Sequence, residues 1–323
     1  MDGKQLRIVY MGTPDFAVAP LRALVENGYN VVAVVTTPDK PSGRGLKLNE
    51  SAVKKYAGPT GITVLQPEKL KDPGFLSELR QYEADLFIVV AFRMLPEAVW
   101  SMPPLGTFNL HASLLPQYRG AAPINWALIN GEKESGVTTF FLNNRMDEGA
   151  IIGQRKIPVS DTDDAGILHD KLMDAGTGLV VETVERIAHG NVVALTQTGH
   201  ETGSLKTAPK IFKDTCRVDF SADGRRIVNL IRGLSPYPTA WSELIPILPG
   251  MDSLQVKIFS SAFIPKTHDD PAGTIESDGR SYIDVACRDG YIRLGDIQPA
   301  GKRRMPVKEF LNGFRDIGDY RFG

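Results

Sequence analysis

The sequence predicts an α/β fold with a mainly parallel sheet in its N-terminal part, followed by a smaller β-barrel. Three observations lead there. Short apolar runs alternate with helical segments through the first half of the chain, the pattern of strand–helix–strand units. Near residue 190 the chain turns polar and rich in Thr and Gly, which suits a linker. Beyond it one helix precedes several short strands separated by turns, the pattern of a small barrel. The expected division is an α/β domain over 1–190, a linker over 191–210 and a β-barrel over 211–323.

The apolar run Leu6 to Met11 reads as a buried strand. Gly12 turns the chain, Thr13 is a candidate N-cap and Pro14 suits the first helical position. That helix is expected to run to about Asn27 and stop at Gly28. "NVVAVVTT" from Asn30 is a second strand, "ITVL" at Ile62 a third and "DLFIVVAF" (Asp85 to Phe92) a fourth, with "GFLSELRQYEA" a helix between the last two. "GTFNLHA" is a strand, "AAPINWALING" a helix ending at Gly131, and "GVTTFFLN" (Gly136 to Asn143) is rich in β-formers. "IIGQRKIPV" follows, then a long helix from about Asp163 to Ala188. In the second part, "DGRRIVNLIRGL" is a helix, and strands are expected around Trp241 to Ile247, Leu254 to Phe263, Gly273 to Ile275, Tyr282 to Ala286 and Tyr291 to Gln298. A last helix follows Pro306.

The chain has 323 residues, 42% hydrophobic and 23% charged, enough to bury sizeable cores in one or two domains. A formal net charge of −1 does not announce a nucleic-acid binder, although a local basic face is compatible with it. The two cysteines, Cys216 and Cys287, form neither a zinc spacing nor a disulfide framework. His169, His189, His200 and His268 have no metal-like spacing, so no metal is expected. No run approaches the roughly 18 apolar residues of a spanning helix, and the opening apolar run is too short for a signal peptide. A cytoplasmic protein is expected.

A dinucleotide reading fails at the first turn. "MGTPDF" carries one glycine where the dinucleotide fingerprint needs three, and no phosphate-binding loop of the G-x-x-x-x-G-K-[ST] type occurs. Different chemistry is suggested by "FNLHASLLPQYRGAAPINWAL". Asn109 and His111 lie two apart on one strand, so both side chains point to one side. "NRMDEGAI" places Asp147 in a loop between two strands. An Asn, a His and an Asp serve acyl transfer to an amine: the amide donates to the oxyanion of a tetrahedral intermediate, the imidazole handles protons, and the carboxylate holds the imidazole. Taken alone, the Asn-x-His spacing equally describes two polar strand residues, and Asp147 a turn residue.

The run "NLHASLLPQYRGAAPINWALING" closely resembles the signature region of folate-dependent formyltransferases. "MGTPDFAV", "TTPDKPSGRGLKL", the Asp147 segment and "IQPAGKRRMP" extend the resemblance over essentially the whole chain, in order, to the members that act on aminoacyl-tRNA. The resemblance implies a Rossmann-like formyltransferase domain, an OB-like barrel, and Asn109, His111 and Asp147 as the catalytic trio. It implies 10-formyltetrahydrofolate as formyl donor and the α-amino group of methionine on initiator tRNA as acceptor. Ser113, Leu114, Leu115 and Pro116 would line the folate site. The chain departs from the family's "AYGxILP"-like stretch near the pterin: it reads "AFRMLP" (Ala91 to Pro96), one residue shorter, with Arg93 near the glycine position.

The loop "TPDKPSGRGLKLNES" is long for a βα connection, and Gly43, Gly45, Pro38 and Pro41 argue against regular structure in it. By composition it is a solvated loop carrying Lys40, Arg44 and Lys47. The resemblance implies that it enters the tRNA acceptor stem, with Arg44 as the matching arginine. From Glu201 onward, 18 Lys plus Arg against 16 Asp plus Glu is too small an excess to prove RNA binding. Lys210 and Lys213 by the linker, and Arg303 and Arg304 after Lys302, are the candidate phosphate contacts. A monomer is expected. The alternative acceptor is an amino-sugar nucleotide, since a formyltransferase of that kind shares the trio and a β-rich second part.

Overall fold

The computed structural model describes residues 2–42, 47–197 and 204–323. In chain order the first elements are β1 (Ile8–Gly12), α1 (Val18–Glu26), β2 (Val31–Val35), β3 (Lys40–Ser42), β4 (Lys47–Asn49), α2 (Ala52–Ala57), β5 (Thr63–Leu65), α3 (Pro73–Gln81), β6 (Leu86–Val90), α4 (Glu97–Trp100) and β7 (Thr107–His111). Then come β8 (Arg119–Gly120), α5 (Pro123–Ile129), β9 (Glu134–Phe141), β10 (Ile151–Pro158), α6 (Ala165–Ala188) and β11 (Thr207–Ala208). The remainder is α7 (Gly224–Leu234), β12 (Ala240–Pro246), β13 (Leu254–Ile258), β14 (Ser261–Pro265), β15 (Ile275–Ser277), β16 (Ile283–Cys287), β17 (Gly290–Leu294), β18 (Asp296–Pro299), β19 (Met305–Pro306), α8 (Val307–Gly313) and β20 (Tyr320–Phe322).

The chain forms two compact units. The first comprises Met1–Gly120, Glu134–Pro158 and His169–Thr207; the second comprises Ala121–Lys133, Val159–Leu168 and Ala208–Gly323. The first unit is built on a seven-stranded sheet of order β10-β9-β7-β6-β1-β2-β5. Strands β5, β2, β1, β6 and β7 are parallel, β9 is antiparallel to β7, and β10 is antiparallel to β9. Ile8, Val9, Tyr10 and Met11 are all buried, as the continuous apolar run requires of a strand covered on both faces. One covering layer includes Phe75 and Leu79 of α3, packed with Val9, Met11, Phe87 and Val89.

After β1 the chain builds β2 and β5 on one side, then crosses to build β6 and β7 on the other. The sheet therefore has its switch point between β1 and β6, where ligands of open α/β sheets bind beyond the carboxyl ends. Gly12 closes β1 there, and a Cβ on it would lie 2.6 Å from the Ala17 Cβ and 3.1 Å from the Val90 carbonyl oxygen. Only glycine fits this approach.

Three local expectations change. The first helix begins at Val18 rather than after Thr13, because Pro14 is extended (ψ 177°) and a 3-10 turn, Asp15–Ala17, precedes the helix. The stop at Gly28, with φ 79°, is as expected. The long loop after β2 contains a hairpin: β3 and β4 pair with Lys40 opposite Asn49. Here tertiary pairing overrides a composition that disfavours strands. In the second unit, two expected long strands are each broken in the middle, Leu254 to Phe263 into β13 and β14, and Tyr291 to Gln298 into β17 and β18.

Those breaks are corners of the second unit. They divide its antiparallel strands into a sheet of order β19-β18-β13-β12-β20 and another of order β14-β17-β16-β15. Gly295 and Ser260 face each other: a Cβ on Gly295 would meet the Ser260 hydroxyl at 2.4 Å. The Gly295 N–H donates to the Ser260 carbonyl at 2.9 Å, and the Asp296 N–H donates to the Ser260 hydroxyl at 2.8 Å. At the other margin the Phe322 N–H donates to the Gly273 carbonyl at 2.9 Å. Main-chain bonds thus join the two sheets at both margins around a core containing Ile227, Ile231, Val256, Val285 and Phe310. Among the described residues, no helix is long and apolar enough to cross a membrane.

Phe108 is fully buried in β7, with Ile88 and Phe141 as its strand partners. Phe108→Ala is expected to destabilise the first unit by about 3–5 kcal/mol. A urea titration reads this as a lower midpoint, and an unchanged midpoint would contradict the packing described.

Candidate active site

Strand β7 carries Asn109 and His111 to the carboxyl edge of the sheet. It lies between β6, where Val89 pairs with Asn109, and β9, where Thr138 pairs with His111. Asn109 is half-buried, and its side-chain amide makes no hydrogen bond to any described residue. His111 is 7% exposed, and its Nε2 lies 2.9 Å from the Tyr118 carbonyl oxygen. A carbonyl oxygen only accepts. Nε2 therefore carries the proton, and Nδ1 is the nitrogen with a lone pair in the neutral ring.

Asp147 sits in the β9–β10 loop with φ 55°, in the left-handed region that Asp tolerates better than most residues. Its Oδ2 accepts from the Gly120 N–H at 3.0 Å. No direct bond between Asp147 and His111 is made among the described residues. The connection runs through Tyr118–Gly120: one end of this short segment accepts from the imidazole and the other donates to the carboxylate. Gly149 fixes the far side of the loop, since a Cβ there would lie 1.6 Å from the Phe141 carbonyl oxygen.

Arg119, at the centre of that segment, pairs with Glu148 at 3.2 Å, and Glu148 also lies 3.5 Å from Arg145. Arg119 donates to Gln197 Oε1 from Nε at 3.1 Å and from a terminal nitrogen at 2.8 Å. Gln197 Nε2 donates to the Asp147 and Gly149 carbonyls, both at 2.8 Å. Sequence reasoning missed Arg119, Gly120 and Gln197. Gln197 stands in a polar Thr- and Gly-rich stretch with no periodicity to single it out.

Ser113 to Pro116 form the loop after β7. The Ser113 hydroxyl donates to the Gln117 carbonyl at 2.6 Å, and Leu115 is buried. Thr138 Oγ1 donates to the Ser113 carbonyl at 2.6 Å and accepts from the Leu115 N–H at 3.1 Å. Gln154 Nε2 donates to the Leu115 carbonyl at 2.8 Å. Leu114 and Pro116 remain half-buried.

At the end of β6, Ala91 turns the chain with φ 46°. Arg93 then reaches back to the Glu68 carbonyl at 2.8 Å and to the Pro67 carbonyl. Its guanidinium is thus committed to the neighbouring loop, and burial lowers its pKa. Met94 beside it is 71% exposed.

The basic residues divide between the units. Lys40 is exposed at the start of β3, and Lys47 begins β4. Arg44 lies outside the described residues. Lys210 and Lys213, in the second unit, are exposed. The Lys210 ammonium lies 5.6 Å from the Phe212 ring, and that of Lys213 lies 5.2 Å from the Trp241 ring. Arg303 pairs with Glu309. Arg304 pairs with Asp296 at 2.8 Å and stacks over Phe259 at 4.4 Å. Both cysteines are buried free thiols whose pKa burial pushes up. Neither is presented as a nucleophile. No group of three or more His, Cys, Asp or Glu residues among those described is placed to hold a metal ion.

Residues 6–184 match the family of formyl transferases, and residues 210–315 match the formyl transferase C-terminal domain. The chain belongs to the formyl transferase family. Among its relatives are the methionyl-tRNA formyltransferases of Parabacteroides distasonis, 58% identical over the whole of both chains, and Bacteroides thetaiotaomicron, 54% identical over 99% of each. That of Flavobacterium johnsoniae is 49% identical over 96% of each chain. Of solved structures, the sugar 3N-formyl transferase WlaRD, with dTDP and 5-N-formyl-THF, shares the fold at TM-score 0.64. It is 20% identical, over 92% of this chain and 99% of its own. HypX from Aquifex aeolicus in complex with tetrahydrofolic acid gives TM-score 0.62 at 18% identity, over 96% of this chain and 47% of its own. This formyl transferase thus combines an open switch-point sheet with a β-rich second unit.

Thr138 is fully buried and its hydroxyl holds both Ser113 and Leu115. Thr138→Val keeps the shape and removes the hydroxyl. It is expected to cost about 1–3 kcal/mol by leaving the Leu115 N–H unsatisfied. Calorimetry checks this, and a variant as stable as the parent would remove the hydroxyl from the loop's support.

Proposed function

We propose that this chain transfers the formyl group of 10-formyltetrahydrofolate to the α-amino group of methionine on initiator tRNA. The observation that carries the reading is the pairing of Asn109, whose amide has no protein partner among the described residues, with a buried His111 at the carboxyl edge of β7. Identity of 48–58% to full-length relatives named for methionyl-tRNA supports the acceptor.

The chemistry needs no protein nucleophile. The neutral amine attacks the formyl carbon, and the C=O electron pair moves onto oxygen. The Asn109 amide donates to that oxyanion. His111 Nδ1, the nitrogen with a free lone pair, takes the proton that the amine nitrogen loses. As the oxyanion collapses, the C–N bond to the folate N10 breaks and N10 receives the proton that His111 took up, leaving tetrahydrofolate, the formylated amine and a neutral imidazole. Asp147, linked to the imidazole through Tyr118–Gly120, stabilises the transient imidazolium. The residues present suit a folate: apolar Phe92, Met94 and Leu95 follow β6, Leu114 and Pro116 follow β7, and the glycine loops of a dinucleotide site are absent.

The acceptor's RNA is read by residues 211–323, and the catalytic domain of 1–190 is completed by the first residues of the 191–210 stretch that otherwise serves as linker. Lys210 and Lys213, each beside an exposed or half-buried aromatic ring, supply cation and stacking surface of the kind single-stranded RNA uses. Lys40 and Lys47 extend this to the hairpin, and Arg44, between them in sequence, adds a third cation. Arg303 and Arg304 would exchange carboxylate partners for phosphates.

The test is transfer of labelled formyl from 10-formyltetrahydrofolate to charged initiator tRNA, charged elongator methionine tRNA and an amino-sugar nucleotide. Label on initiator tRNA is expected; label only on the sugar nucleotide would overturn the acceptor. His111→Ala is expected to slow turnover by about 100-fold or more with tRNA affinity retained. Wild-type turnover in that variant would remove His111 from the mechanism. Arg44→Ala should raise the KM for tRNA and leave that for the folate unchanged; the reverse pattern would detach the hairpin from RNA.

A further inference from the structure

We propose that Gln197 is a positioning residue for formyl transfer, fixing Asp147 from a segment remote in sequence; this rests on the reading of Asp147 as catalytic. The Gln197 side chain is 3% exposed and uses its full hydrogen-bonding capacity. Both N–H groups are spent, one on the Asp147 carbonyl and one on the Gly149 carbonyl, each at 2.8 Å. The oxygen accepts twice from the Arg119 guanidinium, at 3.1 and 2.8 Å. Carbonyls on one side and a cation on the other allow only this orientation of the amide.

The contacts have a direction. Asp147 holds φ 55°, an uncommon conformation for a residue other than glycine that its surroundings help to keep. Gln197 grips the peptide that follows Asp147 and, two residues on, the peptide of Gly149. Through Arg119 it also grips the residue between Tyr118, which holds His111, and Gly120, which holds Asp147. One amide therefore ties the middle of the connection, through the Arg119 side chain, to the backbone that carries the carboxylate. Its own backbone is anchored: Leu195, two residues earlier, exchanges two main-chain bonds of 2.8 Å with Ile151 at the start of β10. A residue outside the motifs at β7 and the β9–β10 loop thus completes their geometry. The polar stretch that reads as linker contributes to the catalytic unit.

A residue that only fills space would lower stability and leave the turnover of folded enzyme alone. A positioning residue lowers kcat while substrate affinities hold, because displacement of a catalytic group by about 1 Å costs up to about 100-fold in rate. The experiment measures kcat and both KM values of the full-length enzyme, below the melting temperature of every variant. The variants are Gln197→Ala, Gln197→Glu, Asp147→Asn and the Gln197→Ala/Asp147→Asn double variant. Gln197→Glu keeps the size and the acceptor for Arg119 and loses both donors, so it remains informative if the alanine variant folds poorly.

Expected is a fall in kcat of about 10- to 100-fold for both Gln197 variants, with KM values within about threefold of the parent. In the Asp147→Asn background, the Gln197→Ala change should cost at most a few-fold. Full activity in Gln197→Glu, an effect confined to KM, or an equal loss in both backgrounds would overturn the proposal. Wild-type turnover in Asp147→Asn would instead overturn the catalytic reading of Asp147, a failure separate from that of Gln197.

Discussion

The site depends on a segment of three residues. Tyr118 accepts from the His111 ring, Gly120 donates to the Asp147 carboxylate, and Arg119 between them ties the segment to Glu148 and Gln197. The imidazole comes from the end of β7 and the carboxylate from the β9–β10 loop, and no bond between them is made among the described residues. What relates them is a backbone segment whose two polar termini face opposite partners. Displacing it would alter the imidazole tautomer and the position of the carboxylate together.

The sheet supplies the frame in which this works. Its strand order reverses between β1 and β6, opening the carboxyl edge, and its direction reverses at β9. The antiparallel β9 lies beside β7 with Thr138 opposite His111 and Phe141 opposite Phe108, and the loop after it carries Asp147 to the Gly120 N–H. Thr138 on β9 and Gln154 on β10 then hold the loop after β7 from beneath.

The sequence made much of this legible, for identifiable reasons. Apolar runs such as Ile8 to Met11 are buried on both faces, so composition alone reveals them. Asn109 and His111 were visible because a strand with period 2 presents both on one side. The 3-10 turn before α1, the β3–β4 hairpin and the corners at Ser260 and Gly295 were not visible. Each is decided by contacts across the fold, as where Gly295 meets Ser260 from a strand more than thirty residues away. Gln197 was hidden for the same reason: its partners at 119, 147 and 149 are distant in sequence, and its neighbours carry no periodic signal. The trio's identity came from a resemblance, its relative placement only from the structure.

Tyr118 fixes the protonation site of His111 and leaves Nδ1 as the nitrogen with the free lone pair. The most direct measurement is the 15N shift of both ring nitrogens of His111 at a pH where the ring is neutral, with Asp147 intact. A protonated Nε2 and a bare Nδ1 are expected. A ring protonated at Nδ1 with Nε2 bare would show that the Tyr118 carbonyl does not hold the imidazole, and the connection built on it would fail.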